Sequence, residues 1–348
     1  MFDMMALENV YKIGGGTIST NRNVRLVDIA SELGLTVNTV SRALRDKPDI
    51  GEETKRKVKQ TASEMGYIPN SIASSLRQGS SKTIAIVFDN LMNPYFMIMA
   101  DKIHRKLNIL GFASMIFAGH QGKLDKHTVE TIVSRKVDGI ITFLEPHTEV
   151  VDQLKLNRIP TILVGRKNSK LMIDSVATDD FDGAYKVGQL FIETKANRIA
   201  YIGAPKEIEC SRRRLKGLKQ ALIDQNKTID ETLYIYQDHD TLEKTLDALL
   251  CSNVDAIFCF NDMIALEVCT LLSKKSIPVP ASIRVAGFDD IQSELFIPIR
   301  LTTVSTNKEQ IIDKTVELLL EQLQDKDQNH HHVQHVDYPV ELKRGETA

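Results

Sequence analysis

No run of apolar residues in this 348-residue chain approaches the roughly 18 needed to cross a bilayer, so nothing in it reads as a membrane helix. The opening MFDMMALENVYKIGGG lacks a basic start and a long apolar stretch, which argues against a secretory signal. Cysteine is scarce. Cys210, Cys251, Cys259 and Cys269 have no zinc-like spacing, and three of them lie in apolar surroundings, as core thiols in a reducing cytoplasm do. There is no P-loop, no G-x-G-x-x-G and no nucleophile–base arrangement; KIGGG is none of these. The NHHHVQH run at 329–335 sits in a polar stretch before the last strand and reads as a solvated loop. No metal and no cofactor are therefore expected.

What is present is a sizeable core, with 42% apolar and 26% charged residues, and an uneven charge distribution. Between Asn21 and Lys82 there are 11 Lys and Arg against 7 Asp and Glu, whereas the whole chain carries a net charge of −2. A basic N-terminal module on an acidic body fits a phosphate-binding head. That head contains LVDIASELGLTVNTVSRAL, residues 26–44. Ala30 stands where two helices pack closely, Gly34 follows at a turn that favours positive φ, and Val40 returns the second helix onto the first. This is the spacing of a DNA-reading helix-turn-helix. Thr36 is a good N-cap for the second helix. GEETKRKVKQTASEMG supplies a third helix, with Val58, Ala62 and Met65 on one face.

The chain divides into an extension at 1–22, without periodicity and expected to be disordered, a headpiece at 23–69, a hinge at 70–82 and a body at 83–348. Ser71–Arg77 has helical potential but is too short to hold a helix alone in water, so it is expected to fold on contact with a partner. From Thr83 onward strands and helices alternate in two series, beginning with TIAIVFD, an apolar run of the kind buried in parallel sheets. The fold class expected is α/β: two lobes of doubly wound parallel sheet behind a three-helix head and a hinge helix. The first lobe is expected at about 83–165 plus 303–325, and the second at about 166–302 plus 326–348. Ligands of such sheets bind beyond the carboxyl ends of the strands, here in the cleft between lobes.

From Val24 to Ala348 the chain closely resembles the lac-repressor (LacI/GalR) family of bacterial transcription regulators. The markers come in order: DIASELGLTVNTVSRAL, EETKRKVKQTASEMGYIPN, SIASSLRQGSSKTIAIV, NPYF, VDGII, SVATDDFDGAY, FNDMIALE, VPASIRVAGFDD, LTTV and ELKRGETA. The resemblance implies a periplasmic-binding-protein-like core and a homodimer on near-palindromic operator DNA. It also implies a small-molecule effector, a sugar or sugar derivative, whose binding in the cleft orders or frees the hinges. No heptad tail follows ELKRGETA, so a dimer is expected rather than a tetramer.

The family's base-reading positions fall on Val37, Asn38 and Arg42. Arg42 suits two parallel hydrogen bonds to guanine, Asn38 an adenine or a phosphate, and Val37 a thymine methyl. Thr36, Thr39 and Ser41 are phosphate donors by type. Arg25 stands where the family often has a capping Ser or Thr, so helix one is expected to be less well capped. Leu76 matches the family's minor-groove wedge, with Arg77 beside it. For the effector, Tyr95 and Phe96 follow the first core strand, where the family places aromatic walls. Asp89, Arg166, Asn261 and Asp289 end core strands, and Arg212 with Arg214 matches the family's R-x-R. Such groups converging on a cleft satisfy several hydroxyls at once. A purely structural pairing, such as Arg212 with Asp289, stays open for any one of them. Asp262 is expected to cap the following helix. The arginines leave an acidic or phosphorylated sugar open beside a neutral one.

Two rivals share the two-lobed fold. A periplasmic-type sugar-binding protein needs an export signal and no headpiece. An α/β enzyme needs a positioned base or nucleophile, and the sequence offers binding groups only.

Overall fold

A computed structural model describes residues 24–68, 79–89, 91–119, 122–167, 171–236, 242–325 and 332–348. The expected extension at 1–22 and residues 70–78 of the expected hinge, with Leu76 and Arg77, lie outside the described residues. The chain forms two compact units, one up to Arg77 and one from Gln78 onward.

The first unit contains α1 (Leu26–Leu33), α2 (Val37–Leu44) and α3 (Glu52–Glu64). Ile29, Ala30, Val40, Ala43, Val58 and Ala62 form its core. Gly34 ends α1 with φ +64°, and its N–H and that of Leu35 return to carbonyls of α1. A β-carbon there would be strained, so glycine fits the tight turn. Thr36 caps α2 by accepting from the Thr39 N–H at 3.1 Å. The missing side-chain cap at Arg25 is offset in part, because Asp28 accepts from the Arg25 N–H at 2.7 Å.

The second unit begins with β1 (Thr83–Phe88), α4 (Pro94–Ile109), β2 (Ala113–Ala118), the two-residue β3 (Lys123–Leu124), α5 (Lys126–Ser134) and β4 (Gly139–Thr142). The short β5 (Glu145–Pro146), α6 (Thr148–Leu156), β6 (Thr161–Val164), β7 (Asp174–Thr178) and α7 (Asp180–Glu193) follow. Then come β8 (Ile199–Gly203), α8 (Glu209–Asp224), β9 (Tyr234–Tyr236), α9 (Leu242–Cys251), β10 (Ala256–Cys259), α10 (Asp262–Lys274) and β11 (Arg284–Ala286). The chain closes with β12 (Thr303–Thr306), α11 (Lys308–Gln324), β13 (His335–Tyr338) and β14 (Val340–Lys343).

Six of the strands make one sheet in the order β13-β7-β6-β4-β1-β2, every pair parallel. Four make a second parallel sheet, β11-β10-β8-β9. The central strands β1, β4, β6 and β7 are buried almost throughout, whereas the edge strand β2 is largely exposed, as its place at the rim requires.

The lobe boundaries differ from those expected. β7 and β13, assigned by sequence to the second lobe, are hydrogen-bonded into the first sheet. β12, assigned to the first lobe, pairs antiparallel with β14, and Val304 and Val340 bury in the second lobe's core. The polar run also ends in a strand rather than before one: His335 lies in β13, its ring nitrogen 2.7 Å from the Ser175 hydroxyl. These segments are short and cross between lobes, so their membership follows from which sheet edge is open rather than from local pattern.

Within the second lobe α7 lies close against α8. A β-carbon on Gly217 would come within 2.1 Å of the Phe181 carbonyl oxygen, so only glycine allows this approach. That contact sets the start of α7 beside the first turns of α8. No described helix is long and apolar enough to cross a membrane.

Candidate effector cleft and DNA-reading face

α7 begins directly after β7, the point where the chain leaves the first sheet for the second lobe. Asp179 caps this helix by accepting from the Asp182 N–H, and Asp180 turns inward with 2% exposure. The close packing of α7 on α8 brings Arg214 to it. Arg214 Nε donates to Asp180 Oδ1 at 2.8 Å, and a second nitrogen lies 3.7 Å from Asp289 Oδ1. Arg214 also donates to the Phe260 carbonyl oxygen, and its guanidinium lies 3.5 Å from the centroid of the Phe288 ring. Cation, two carboxylates and ring thus form one buried cluster at the carboxyl ends of β7, β10 and β11.

The charges in it are strongly perturbed. Burial pushes Asp289 up to about 7, although Arg214 and Lys308 pull the other way. Burial likewise lifts the Asp180 carboxyl, against Arg214. Burial alone would lower Arg214, but Asp180 and Asp289 hold it above its ordinary value. The Tyr95 phenol, at the start of α4 in the first lobe, is raised by burial and then by Asp289. Backbone geometry adds strain: Asp289 and Asp290 have φ +104° and +48°, values that side-chain-bearing residues rarely adopt.

Two of the remaining candidates meet at one glycine. Asp89, just past β1, accepts from the Gly122 N–H at 3.1 Å, and Arg166, just past β6, donates to the Gly122 carbonyl oxygen at 2.9 Å. A β-carbon on this glycine would lie 3.6 Å from the side chain of Ile208 in the second lobe. Phe96 joins an aromatic group with Phe88, Tyr95 and Phe143, ring centroids 4.8–5.6 Å apart.

Other candidates stand differently from expectation. Arg212 does not reach Asp289; it turns outward to Glu209 and to the Lys206 and Glu207 carbonyls, and its side chain is half exposed. Residues two apart on a helix face different ways, so only one member of R-x-R can enter the cleft. Asn261 rather than Asp262 caps α10, accepting from the Ile264 N–H at 3.0 Å. Asp262 instead ties the lobe together, accepting from Thr303 Oγ1 at 2.5 Å and the Ile291 N–H at 2.9 Å. Sequence reasoning missed Asp180. In ATDDFD two adjacent acids follow a strand, and only the packing of α7 decides which faces inward.

In the headpiece Val37 and Asn38 are exposed at the start of α2. Arg42 is half exposed and forked onto Asp49, at 2.8 and 2.5 Å. Thr36 and Thr39 share a hydrogen bond at 2.9 Å. Ser41, expected among the phosphate donors, is buried, and its hydroxyl accepts from Arg45 at 3.0 Å.

A model of the bacterial regulatory proteins of the lacI family matches residues 25–70, and one of a periplasmic binding protein-like domain matches residues 189–347. The HTH-type transcriptional regulator DegA of Bacillus subtilis (strain 168) is 30% identical over 290 residues, which covers 80% of this chain and 86% of the relative. The chain belongs to the LacI family. It is an effector-controlled, DNA-binding transcriptional regulator, and its relatives are regulators rather than enzymes. The fold of this LacI-family chain is also that of the lac repressor dimer bound to operator and the anti-inducer ONPF, with TM-score 0.78, 21% identity and coverage of 94% of this chain and 99% of that one. The complex of the transcriptional regulator CelR with cellobiose matches at TM-score 0.66 and 23% identity, covering 94% and 100%.

Proposed function

We propose that this regulator is a homodimeric repressor of a near-palindromic operator, working in the cytoplasm and controlled by a sugar or sugar derivative in the cleft. The observation that carries the effector reading is the buried Arg214, set between Asp180 and Asp289 at strand ends, with Tyr95 and Asn261 nearby. Charged donors and acceptors fixed beside an aromatic wall suit adjacent hydroxyls on a sugar ring. The sugar-bound CelR neighbour of the same fold supports this.

On the DNA side, Val37, Asn38 and Arg42 read bases, while Thr36 and Thr39 hold phosphate. Ser41 contributes only if its bond to Arg45 opens. Leu76 and Arg77 act in the hinge. The dimer reading is supported by the lac repressor neighbour, itself a dimer on operator. It is supported too by apolar side chains exposed on α4 and the edge strand β2, among them Met97, Ile109, Met115 and Ile116.

The test is operator selection from random DNA, followed by anisotropy titration against salt and against a sugar panel. The expected site is a near-palindrome, bound with a steep salt dependence and released by one class of sugar. Only asymmetric sites, or a flat salt response, would refute the reading.

A further inference from the structure

Each lobe has an aspartate just before a central strand of its sheet, and each aspartate holds the start of the neighbouring strand. In the second lobe Asp255 precedes β10. Its carboxylate accepts from the Asn197 and Arg198 N–H groups at 2.9 Å, where the chain enters β8. In the first lobe Asp138 precedes β4 and holds the chain where it enters β1. The backbone repeats the likeness, since the Asp255 N–H donates to the Arg198 carbonyl oxygen and the Asp138 N–H to that of Thr83. A carboxylate placed here satisfies N–H groups that a strand end leaves unpaired.

Asp138 holds more of the chain than Asp255 does. It accepts from the Ser81 N–H at 2.7 Å and the Lys82 N–H at 2.9 Å, and also from the Ser81 hydroxyl at 2.9 Å and the Ser80 hydroxyl at 2.5 Å. Lys82 has φ +51°, a conformation that persists only where the surroundings impose it. Its carbonyl oxygen accepts from the Ala113 N–H at 2.7 Å, and its ammonium lies 4.4 Å from the centroid of the Phe112 ring. What lies upstream differs too. The turn at Asn197 and Arg198 joins α7 to β8 within one lobe. The turn at 80–82 is where the second compact unit receives the chain from the helix-turn-helix unit. Each residue has two soft torsions, so three unheld residues before β1 would add about six and erase the direction set by the sheet.

We propose that Asp138 is a positioning residue for operator binding. Through Ser80, Ser81 and Lys82 it fixes the point and direction at which the chain to the headpiece leaves the first lobe. It thereby sets how readily the two headpieces of a dimer engage one operator together. The inference rests on the homodimer reading. Asp138 touches no DNA; it acts through the three residues it holds.

The test measures the full chain by anisotropy on two duplexes, the operator selected from random DNA and a duplex carrying one of its half-sites. Asp138→Asn keeps the shape of the side chain and removes the charge on which four donors converge. It should weaken the full operator by about tenfold or more, as the effective concentration of the second headpiece falls, and leave the half-site unchanged. Replacing Ser80 and Ser81 together by Ala keeps the charge and the backbone bonds, and should lose a smaller part of the full-operator preference. Asp255→Asn breaks the matching turn of the second lobe. It should lower the melting temperature of the core without changing the preference, which a merely structural role for Asp138 would not predict. A preserved preference in Asp138→Asn, or an equal fall in Asp255→Asn, overturns the proposal. Should Asp138→Asn fail to fold, the serine pair decides, and an unchanged preference there overturns it as well. Sedimentation separates this from the reading beneath it. A wild type that runs as a monomer and binds both duplexes alike sinks the homodimer, whereas a dimeric wild type with a preserved preference in Asp138→Asn sinks the role of Asp138 alone.

Discussion

In the headpiece, Arg42 meets Asp49 at 2.5 Å with 38% and 49% of the two side chains exposed. In the cleft, Arg214 meets Asp180 at 2.8 Å with 7% and 3% exposed. The pairing chemistry is the same, but the surroundings differ. Around Arg42, water and salt screen the pair, so Asp49 can give way to a base edge or a phosphate at little cost. Around Arg214 burial shuts out most of the solvent, and removing either partner strands a charge in low dielectric. The headpiece therefore keeps the groups proposed to bind DNA separate from what holds it together, whereas in the cleft the groups proposed to bind effector also hold the buried core together.

The largest effect that would break this contrast is expected at Arg214. Arg214→Gln leaves Asp180 and Asp289 buried without their cation, and should destabilise the core by about 3–5 kcal/mol in urea unfolding as well as abolish effector response. A stability close to wild type would mean that the cleft, like the headpiece, holds its charges loosely. Next is Ile29→Ala, which empties the centre of the small three-helix core. It should cost the headpiece about 2–5 kcal/mol, enough to unfold a unit of this size. Operator binding should vanish while the main calorimetric transition of the second unit stays in place. A joint shift of both transitions would show that the two units are not independent.

Arg42→Ala should leave melting unchanged and weaken the preferred operator by about tenfold to a hundredfold, with relaxed choice at one base pair. Uniform weakening over all sequences would make Arg42 a phosphate contact instead. The last test concerns pH. Asp289 in the fold titrates near 7, far above an unfolded aspartate, so the folded state binds this proton more tightly. The stability it confers is fully present below about pH 4 and is lost as the pH rises through about 7. Asp289→Asn should flatten that limb of the core's stability profile, as followed by denaturation at a series of pH values.

How much of this could be read from residues alone follows the same division. The headpiece was legible because its contacts are local. Gly34, Thr36 and Val40 lie within one helix-turn-helix, and each does in space what its type and spacing imply. Ser41 is the exception, because a single residue step on α2, a rotation of about 100°, separates an exposed position from a buried one. In the cleft, the alternation of strands and helices was enough to place Asp89, Arg166 and Asp289 at strand ends, where ligand sites gather in parallel sheets. They were not enough to choose between Arg212 and Arg214, or between Asp179 and Asp180.

The sequence by itself determined the class of this protein: a helix-turn-helix head with its turn glycine and cap, and alternating strands and helices that build mainly parallel sheets. Those are consequences of local spacing and of hydrophobic period. Only the tertiary structure decided which strands join which sheet, which of two neighbouring acids turns inward, and which arginine of R-x-R enters the buried cluster. These depend on residues more than thirty positions apart meeting in space, as Arg214 of α8 meets Asp180 of α7, and no local pattern encodes such a meeting.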